Sequence, residues 1–428
     1  MVRLLRKSFE IERAEVPAVL ASCALIGLAM CGYFTVRSVR ETAGTLLGKD
    51  RVADLFLWTW VTSLAIVPAY GWVVARLRRA QFLPFVYGGV AVVLAGFGLA
   101  MQADPGNIRV MEMFYVFISV INLFVISVFW GFALELFAQE QTKRVFGLIA
   151  AGGSIGAFLG PWLTVGLVGT VGNSGILYLG AALFAGAIAL QCVLLRIWSP
   201  QSGGEAPSER HDVPVGGRPM IDGLKLLFSS PYLLGIALFV ILLSAVNTFL
   251  YFEQLQVVAI AFKDPVRRTQ VFATMDGAVQ TATFLLQVGV TGRIATRQGV
   301  TALIVSVPLA MIVGFLVLAA IGGFTTLAIV FCARRIGEYA FVRPGREMLF
   351  AAINTHNRYR VKHVIDVPVY RGGDALSSQA NAMLTTAHWS PASVSVAGAV
   401  LSAAWALNAW WLGRRFKRSG GKLPYPIN

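Results

Sequence analysis

Apolar runs of membrane-spanning length recur along the chain, beginning near residues 16, 53, 82, 110, 146 and 174, and again near 231, 269, 300, 324, 366 and 391. A helix rising ~1.5 Å per residue needs about 20 such residues to cross a hydrocarbon layer about 30 Å thick. Between the sixth and seventh runs lies "SPQSGGEAPSERHDVPVGGRP", whose Ser, Gly, Pro and charge are the composition of a flexible linker. The pattern predicts an all-α membrane protein of about twelve transmembrane helices in two six-helix halves. The expected divisions are 1–196 for the first bundle, 197–230 for a cytoplasmic linker and the entry to helix seven, 231–413 for the second bundle, and 414–428 for a basic cytoplasmic tail. The first apolar stretch ends in "FTVRSVRE" rather than a small-residue cleavage site, and reads as a retained helix.

Composition agrees with this pattern. The chain is 57% hydrophobic and only 13% charged, too little polar surface for a soluble protein of 428 residues. Its net charge of +15 would suggest nucleic acid in a soluble protein. Here the basic residues are unevenly distributed: roughly 25 Lys and Arg fall on one set of connecting segments and about seven on the other, which places both termini in the cytoplasm. Nucleic acid is therefore not an expected partner; the bilayer is. Cys23, Cys31, Cys192 and Cys332 lie in apolar segments without CxxC spacing, and the four histidines are scattered. The sequence shows no metal site, no cofactor site and no catalytic constellation.

Charges inside the hydrocarbon cost about 2.5–3.5 kcal/mol each on insertion scales, so each needs a partner or a wet cavity. The first helix ends in "YFTVRSVRETAG", where Arg37, Arg40 and Glu41 are three and four residues apart and share a face. They read either as interfacial snorkelling or as a basic wall drawing an anion into a central cavity. In the tenth helix "CARRIGEYAFVRPGRE" places Arg334 and Arg335 four and three residues before Glu338, which can neutralise at most one of them. The eleventh carries "YRGGD", with Arg371 and Asp374 three apart in its inner third and Gly372 and Gly373 allowing a local break or a close backbone approach. Asp276, Gln280 and Gln287 form a polar stripe on the eighth helix. Asn122 and Glu135 on the fourth helix and Asn247 on the seventh complete the set. Arg37, Arg40, Glu41, Asn122, Asn247, Arg334, Arg335 and Arg371 are the candidate substrate-binding residues. Glu135, Asp276, Glu338 and Asp374 are the candidate coupling or gating residues. In "FGLIAAGGSIGAFLGP", Gly152, Gly156 and Gly160 give the fifth helix one face bare of side chains, suited to close packing.

Two six-helix halves joined by a cytoplasmic loop resemble the major facilitator layout, in which the substrate site lies between the halves. Several stretches also resemble the nucleotide transporter (ATP/ADP antiporter) family of bacteria and plastids. They are "YFTVRSVRETAGTLLG", "WTWVTSLAIVPAYGWVVARLRRAQFLP", "VINLFVISVFWGFALELFAQEQTKRVFGLIAAGGSIGAFLGP", "RPGREMLF" and "KHVIDVPVYRGGDALSSQ". The resemblance implies twelve helices, alternating access, a bacterial inner membrane and a basic-acidic pair at Arg40 and Glu41. It also implies a Gly-Lys-Ser-Gly-Gly pattern after Ile365-Asp366, where this chain has "YRGGD" and Asp374 falls on the lysine.

The expected function is secondary active transport of an anionic, phosphate-bearing or nucleotide-like solute, with no enzymatic step. The alternative is a proton-coupled major facilitator transporter of drugs, peptides or amphiphilic cell-envelope fragments, in which carboxylates carry the coupling proton. A transporter-shaped scaffold or lipid scramblase is a third reading.

Overall fold

The computed structural model describes residues 12, 14–74, 79–198, 218–353 and 355–418. The helices before the linker are α1 (Val16–Leu47), α2 (Lys49–Val74), α3 (Arg79–Ala103) and α4 (Ile108–Leu136), followed by the run Gln139–Ile197. Gly172 interrupts that run at φ 69°, a left-handed backbone that only glycine adopts without strain, so it divides α5 (139–171) from α6 (173–197). A short amphipathic helix, α7 (Arg218–Ser229), forms where linker and entry to helix seven were expected, and α8 (Pro231–Ala261) follows. Gly299, at φ 78°, separates α9 (265–298) from α10 (300–321) in the same way. Then come α11 (323–351), α12 (355–386) and α13 (Pro391–Arg418). Among the described residues, six membrane-length helices thus precede α7 and six follow it, as the hydropathy pattern predicts. Most of the linker (199–217) and residues 419–428 of the basic tail lie outside the described residues.

Among the described residues, seven stretches are long and apolar enough to span a membrane by length and composition alone, Arg144–Ile197 counting once. Helices α2, α9, α11 and α12 are not among these seven; α9, α11 and α12 carry buried polar groups such as Asp276, Glu338 and Asp374. Each also contains a widened π-turn: Gln287–Thr291 in α9, Glu338–Val342 in α11 and Ile365–Val369 in α12. Pro344 and Pro368 have no backbone N–H to donate to an α-helical ladder. In the structure the π-turns adjoin or contain them, and the helices continue. This corrects two expectations. Helix α12 starts at 355 rather than near 366, which moves Arg371 and Asp374 from its inner third to its middle. Arg343, Arg346, Arg358, Arg360 and Lys362 belong to helices rather than to a connecting loop.

The chain divides into two compact units that do not follow its halves. One comprises residues 1–43, 72–212 and 264–277, so the first part of α9 belongs with α1 and α3–α6. The other comprises residues 44–71, 213–263 and 278–428, so most of α2 belongs with α8 and α10–α13.

In the first unit α5 lies directly against α1. A Cβ placed on Gly152 would sit 2.4 Å from the Cys23 carbonyl oxygen, and one on Gly156 only 2.0 Å from that of Gly27. The four-residue glycine spacing therefore serves backbone-to-backbone contact, as the sequence predicts. Gly156→Ala should cost about 1–3 kcal/mol by overpacking, because carbonyl groups cannot move aside like a flexible side chain. Thermal unfolding of the purified variant measures this, and an unchanged melting temperature would contradict the packing account.

In the second unit α2 is seated on α8 and α12. The Ala53 carbonyl accepts from Ser378 Oγ at 3.3 Å and from Gln379 Nε2 at 3.2 Å. Phe56 contacts the rings of Tyr251 and Phe252, both at 5.7 Å. Lys49 Nζ stands 3.6 Å from Glu253 Oε1 on α8.

Candidate functional site

Two groups of buried charges hold most of the candidate residues, one in each unit. In the first unit, one turn of α1 places Arg37 Nε 3.7 Å from Glu41 Oε1, and Arg37 Nη1 reaches Asp276 Oδ2 on α9 at 3.7 Å. Arg40 Nη2 donates to Glu41 Oε1, while Nη1 donates to Ser119 Oγ on α4 at 3.2 Å. Ser119 in turn donates to the Tyr115 carbonyl at 2.7 Å, and the Arg40 guanidinium lies 5.2 Å from the Tyr115 ring centre. Thr42 and Thr269 share a hydrogen bond at 2.6 Å, a second link between α1 and α9. Two guanidiniums thus face two carboxylates. The basic wall expected at the end of the first helix carries its own counter-charges.

Asn122 is half-buried on α4, three residues beyond Ser119. Glu135 is not brought to this group. It is exposed in the last turn of α4, about 24 Å along the helix from Ser119 at ~1.5 Å per residue. The stripe of Asp276, Gln280 and Gln287 is also divided, with Asp276 in the first unit and the two glutamines in the second.

The second unit holds the larger group, centred on Glu338 of α11. Arg334 Nη1 donates to Glu338 Oε2 at 2.7 Å, the i,i+4 pair expected from the sequence. Arg343 Nε and Nη2 both donate to Glu338 Oε1 at 3.3 Å. Arg335 also faces this carboxylate, its guanidinium 5.5 Å from the ring centre of Phe331 and 5.8 Å from that of Tyr339. Arg334 and Arg335 are 2% and 3% exposed, whereas the Arg343 side chain is 54% exposed.

On α12, Arg371 Nη1 lies 3.6 Å from Asp374 Oδ2 and Ser244 of α8 donates to Asp374 Oδ1. Gly373 lets α8 approach: a Cβ there would stand 3.2 Å from Ser244. Gly372 faces the indole of Trp60 on α2, which a Cβ would meet at 3.6 Å. Tyr370 precedes Arg371 on α12, and its carbonyl oxygen stands 3.5 Å from Ser244 Oγ. Asn247 is half-buried on α8, three residues past Ser244.

The π-turn explains the position of Arg343. Residues five apart do not share a face of an α-helix, but a turn bonded i→i+5 brings them together. Widening also frees the Tyr339 carbonyl, and Gln287 of α9 donates to it at 3.1 Å. Gln287→Leu should leave that carbonyl unpaired and cost about 1–3 kcal/mol. A melting curve tests this, and Gln287→Glu should recover none of the loss because a carboxylate offers no donor.

Sequence reading missed Arg343, Ser244 and Tyr370. Arg343 was counted among the basic residues of a cytoplasmic connecting segment. The signal for Ser244 was a lone hydroxyl in an apolar helix, which is too common to single out.

Long apolar helices carrying buried, mutually paired charges are those of a multi-pass membrane protein. The Major Facilitator Superfamily profile matches residues 52–342, and the chain belongs to that superfamily. It is accordingly a secondary-transporter-type protein and not an enzyme. No curated protein sequence matches it.

Solved structures with the same fold include an auto-inhibited POT family peptide transporter, at 12% identity and TM-score 0.65, covering 95% of this chain and 99% of that one. Another is the nucleoside transporter NupG, at 15% identity and TM-score 0.60, covering 94% and 99%. A third is a bacterial homologue of the iron transporter ferroportin in an inward-facing state, at 14% identity and TM-score 0.62, covering 93% and 98%. At these identities the likeness concerns the fold.

Proposed function

We propose that this chain is a secondary active transporter of an anionic, phosphate-bearing solute, working by alternating access in a bacterial inner membrane with both termini cytoplasmic. The observation that carries the reading is the arginine content of two consecutive helices of one unit: Arg334 and Arg343 on Glu338, buried Arg335 beside them in sequence, and Arg371 by Asp374. Guanidinium forks match phosphate oxygens in geometry and remain charged at every physiological pH. Glu338 and Asp374 hold the forks in place, and Trp60 beside Gly372 offers a flat apolar surface for the remainder of the solute. In the first unit Arg37 and Asp276, paired between α1 and α9, take the coupling role. The nucleotide-carrier resemblance adds weight to a phosphorylated substrate.

Counterflow in proteoliposomes tests the proposal. Vesicles loaded with an organophosphate should accumulate labelled organophosphate from outside, and Arg371→Ala should abolish this. Transport of neutral or cationic amphiphiles with no organophosphate counterflow would refute it.

A further inference from the structure

The last helix ends in a pattern that the proposed transport does not use. In "NAWWLGRRFKR", residues 408–418, two tryptophans are each followed four residues later by an arginine. Residues four apart are neighbours on a helix surface, so each arginine reaches its own tryptophan. Both stacks are present in the structure. The Arg414 guanidinium lies 4.0 Å from the ring centre of Trp410, and that of Arg415 lies 5.2 Å from the ring centre of Trp411. Lys417 and Arg418 extend the two rows by a further turn, on adjacent faces of α13.

Packing on the other side holds this end of α13 in place. Leu412 is fully buried. A Cβ on Gly235 of α8 would stand 2.5 Å from the Trp411 ring, and one on Gly413 would stand 2.4 Å from Thr301 Oγ1 of α10. Yet Trp410 and Trp411 remain 46% and 37% exposed, and all four cations are exposed. Among the described residues none of the four cations pairs with a carboxylate. The helix macrodipole favours cations in a last turn, but it accounts for neither the exposed tryptophans nor their pairing with arginines.

The stretch Pro391–Arg418 is long and apolar enough to cross a membrane, so exposed rings on it face lipid. Tryptophan is at home at the boundary between headgroups and acyl chains. Each arginine lies about 6 Å further along the axis than its tryptophan, in the direction of the water. A phospholipid has the same order, acyl chains and glycerol first and phosphate beyond them. Stacking occupies one face of a guanidinium and leaves its in-plane N–H fork for phosphate oxygens. A zwitterionic headgroup would bring its own ammonium among four cations, whereas a net-negative one complements them.

We infer that the end of α13 is a binding site for an acidic phospholipid, its phosphodiester held by Arg414 and Arg415 and its glycerol and upper acyl chains lying on Trp410 and Trp411. The site is independent of the transported solute.

Native mass spectrometry tests the inference. The full-length protein is purified in a neutral detergent and mixed with equal amounts of phosphatidylglycerol and phosphatidylcholine of the same acyl chains. The unaltered protein should retain phosphatidylglycerol with about tenfold preference. Arg414→Lys/Arg415→Lys keeps both charges but removes the flat stack and the fork, and should bring the preference close to parity. Trp410→Leu changes no charge, at a side chain nearly half exposed, and should lower the preference about threefold.

Equal retention of the two lipids by the unaltered protein would overturn the site. An undiminished preference in the double lysine variant would also overturn it, since diffuse attraction to any basic tail would then suffice. Displacement of phosphatidylglycerol by an equal concentration of glycerol phosphate would show a site for free phosphate rather than for a lipid.

Discussion

Replacing Glu338 with Gln is expected to destabilise the protein by about 3–5 kcal/mol, the usual cost of leaving buried charge without its partner. Glu338 is 5% exposed and receives hydrogen bonds from both Arg334 and Arg343, with Arg335 also close. Glutamine preserves the shape but concentrates three like charges around a neutral group. A purified Glu338→Gln variant should melt well below the unaltered protein or fail to accumulate in the membrane. The double variant Arg334→Gln/Glu338→Gln removes one charge of each sign and should recover part of the loss, because the two effects are coupled rather than additive. Neither variant should transport. A Glu338→Gln protein with unaltered melting temperature would show that the group does not carry its charges as described.

Asp276→Asn is the second large effect, and it acts on a different link. Asp276 joins α9 to α1 through Arg37 at 3.7 Å, and Arg37 keeps Glu41 at the same distance when the aspartate is neutralised. The stability cost should therefore be smaller, about 1–3 kcal/mol for a weakened buried polar contact. Transport should suffer more than stability, since Asp276 is the charged connection between the first helix and a helix whose two ends belong to different compact units. Melting temperature and counterflow measured on the same preparation separate the two losses. Arg37→Gln/Asp276→Asn should restore stability without restoring counterflow; recovery of both would reduce the pair to a structural tether.

Much of this architecture was legible in the sequence because the bilayer imposes strict local demands. Every backbone polar group in hydrocarbon must be satisfied within its own segment, so apolar runs of spanning length read directly as helices. Contacts within one helix were equally legible. The pairs Arg334–Glu338, Arg371–Asp374 and Arg37–Glu41 follow from three- and four-residue spacing, and the glycine face of α5 from a repeat of four. These features depend only on helical periodicity. Where periodicity changes, the reading failed: the π-turn at Glu338–Val342 brought Arg343 onto Glu338, and the one at Ile365–Val369 lies inside an α12 that begins well before the apolar run near 366.

The sequence by itself determined the helices, their number on either side of the linker, and which residues share a face of one helix. The tertiary structure alone decided which helices share their charges. It paired Arg37 with Asp276, bound Asp374 to Ser244, gave Arg40 to Ser119, and assigned the two ends of α9 to different units. These partners lie many residues apart, and no local periodicity encodes them. They follow from which helix faces pack together.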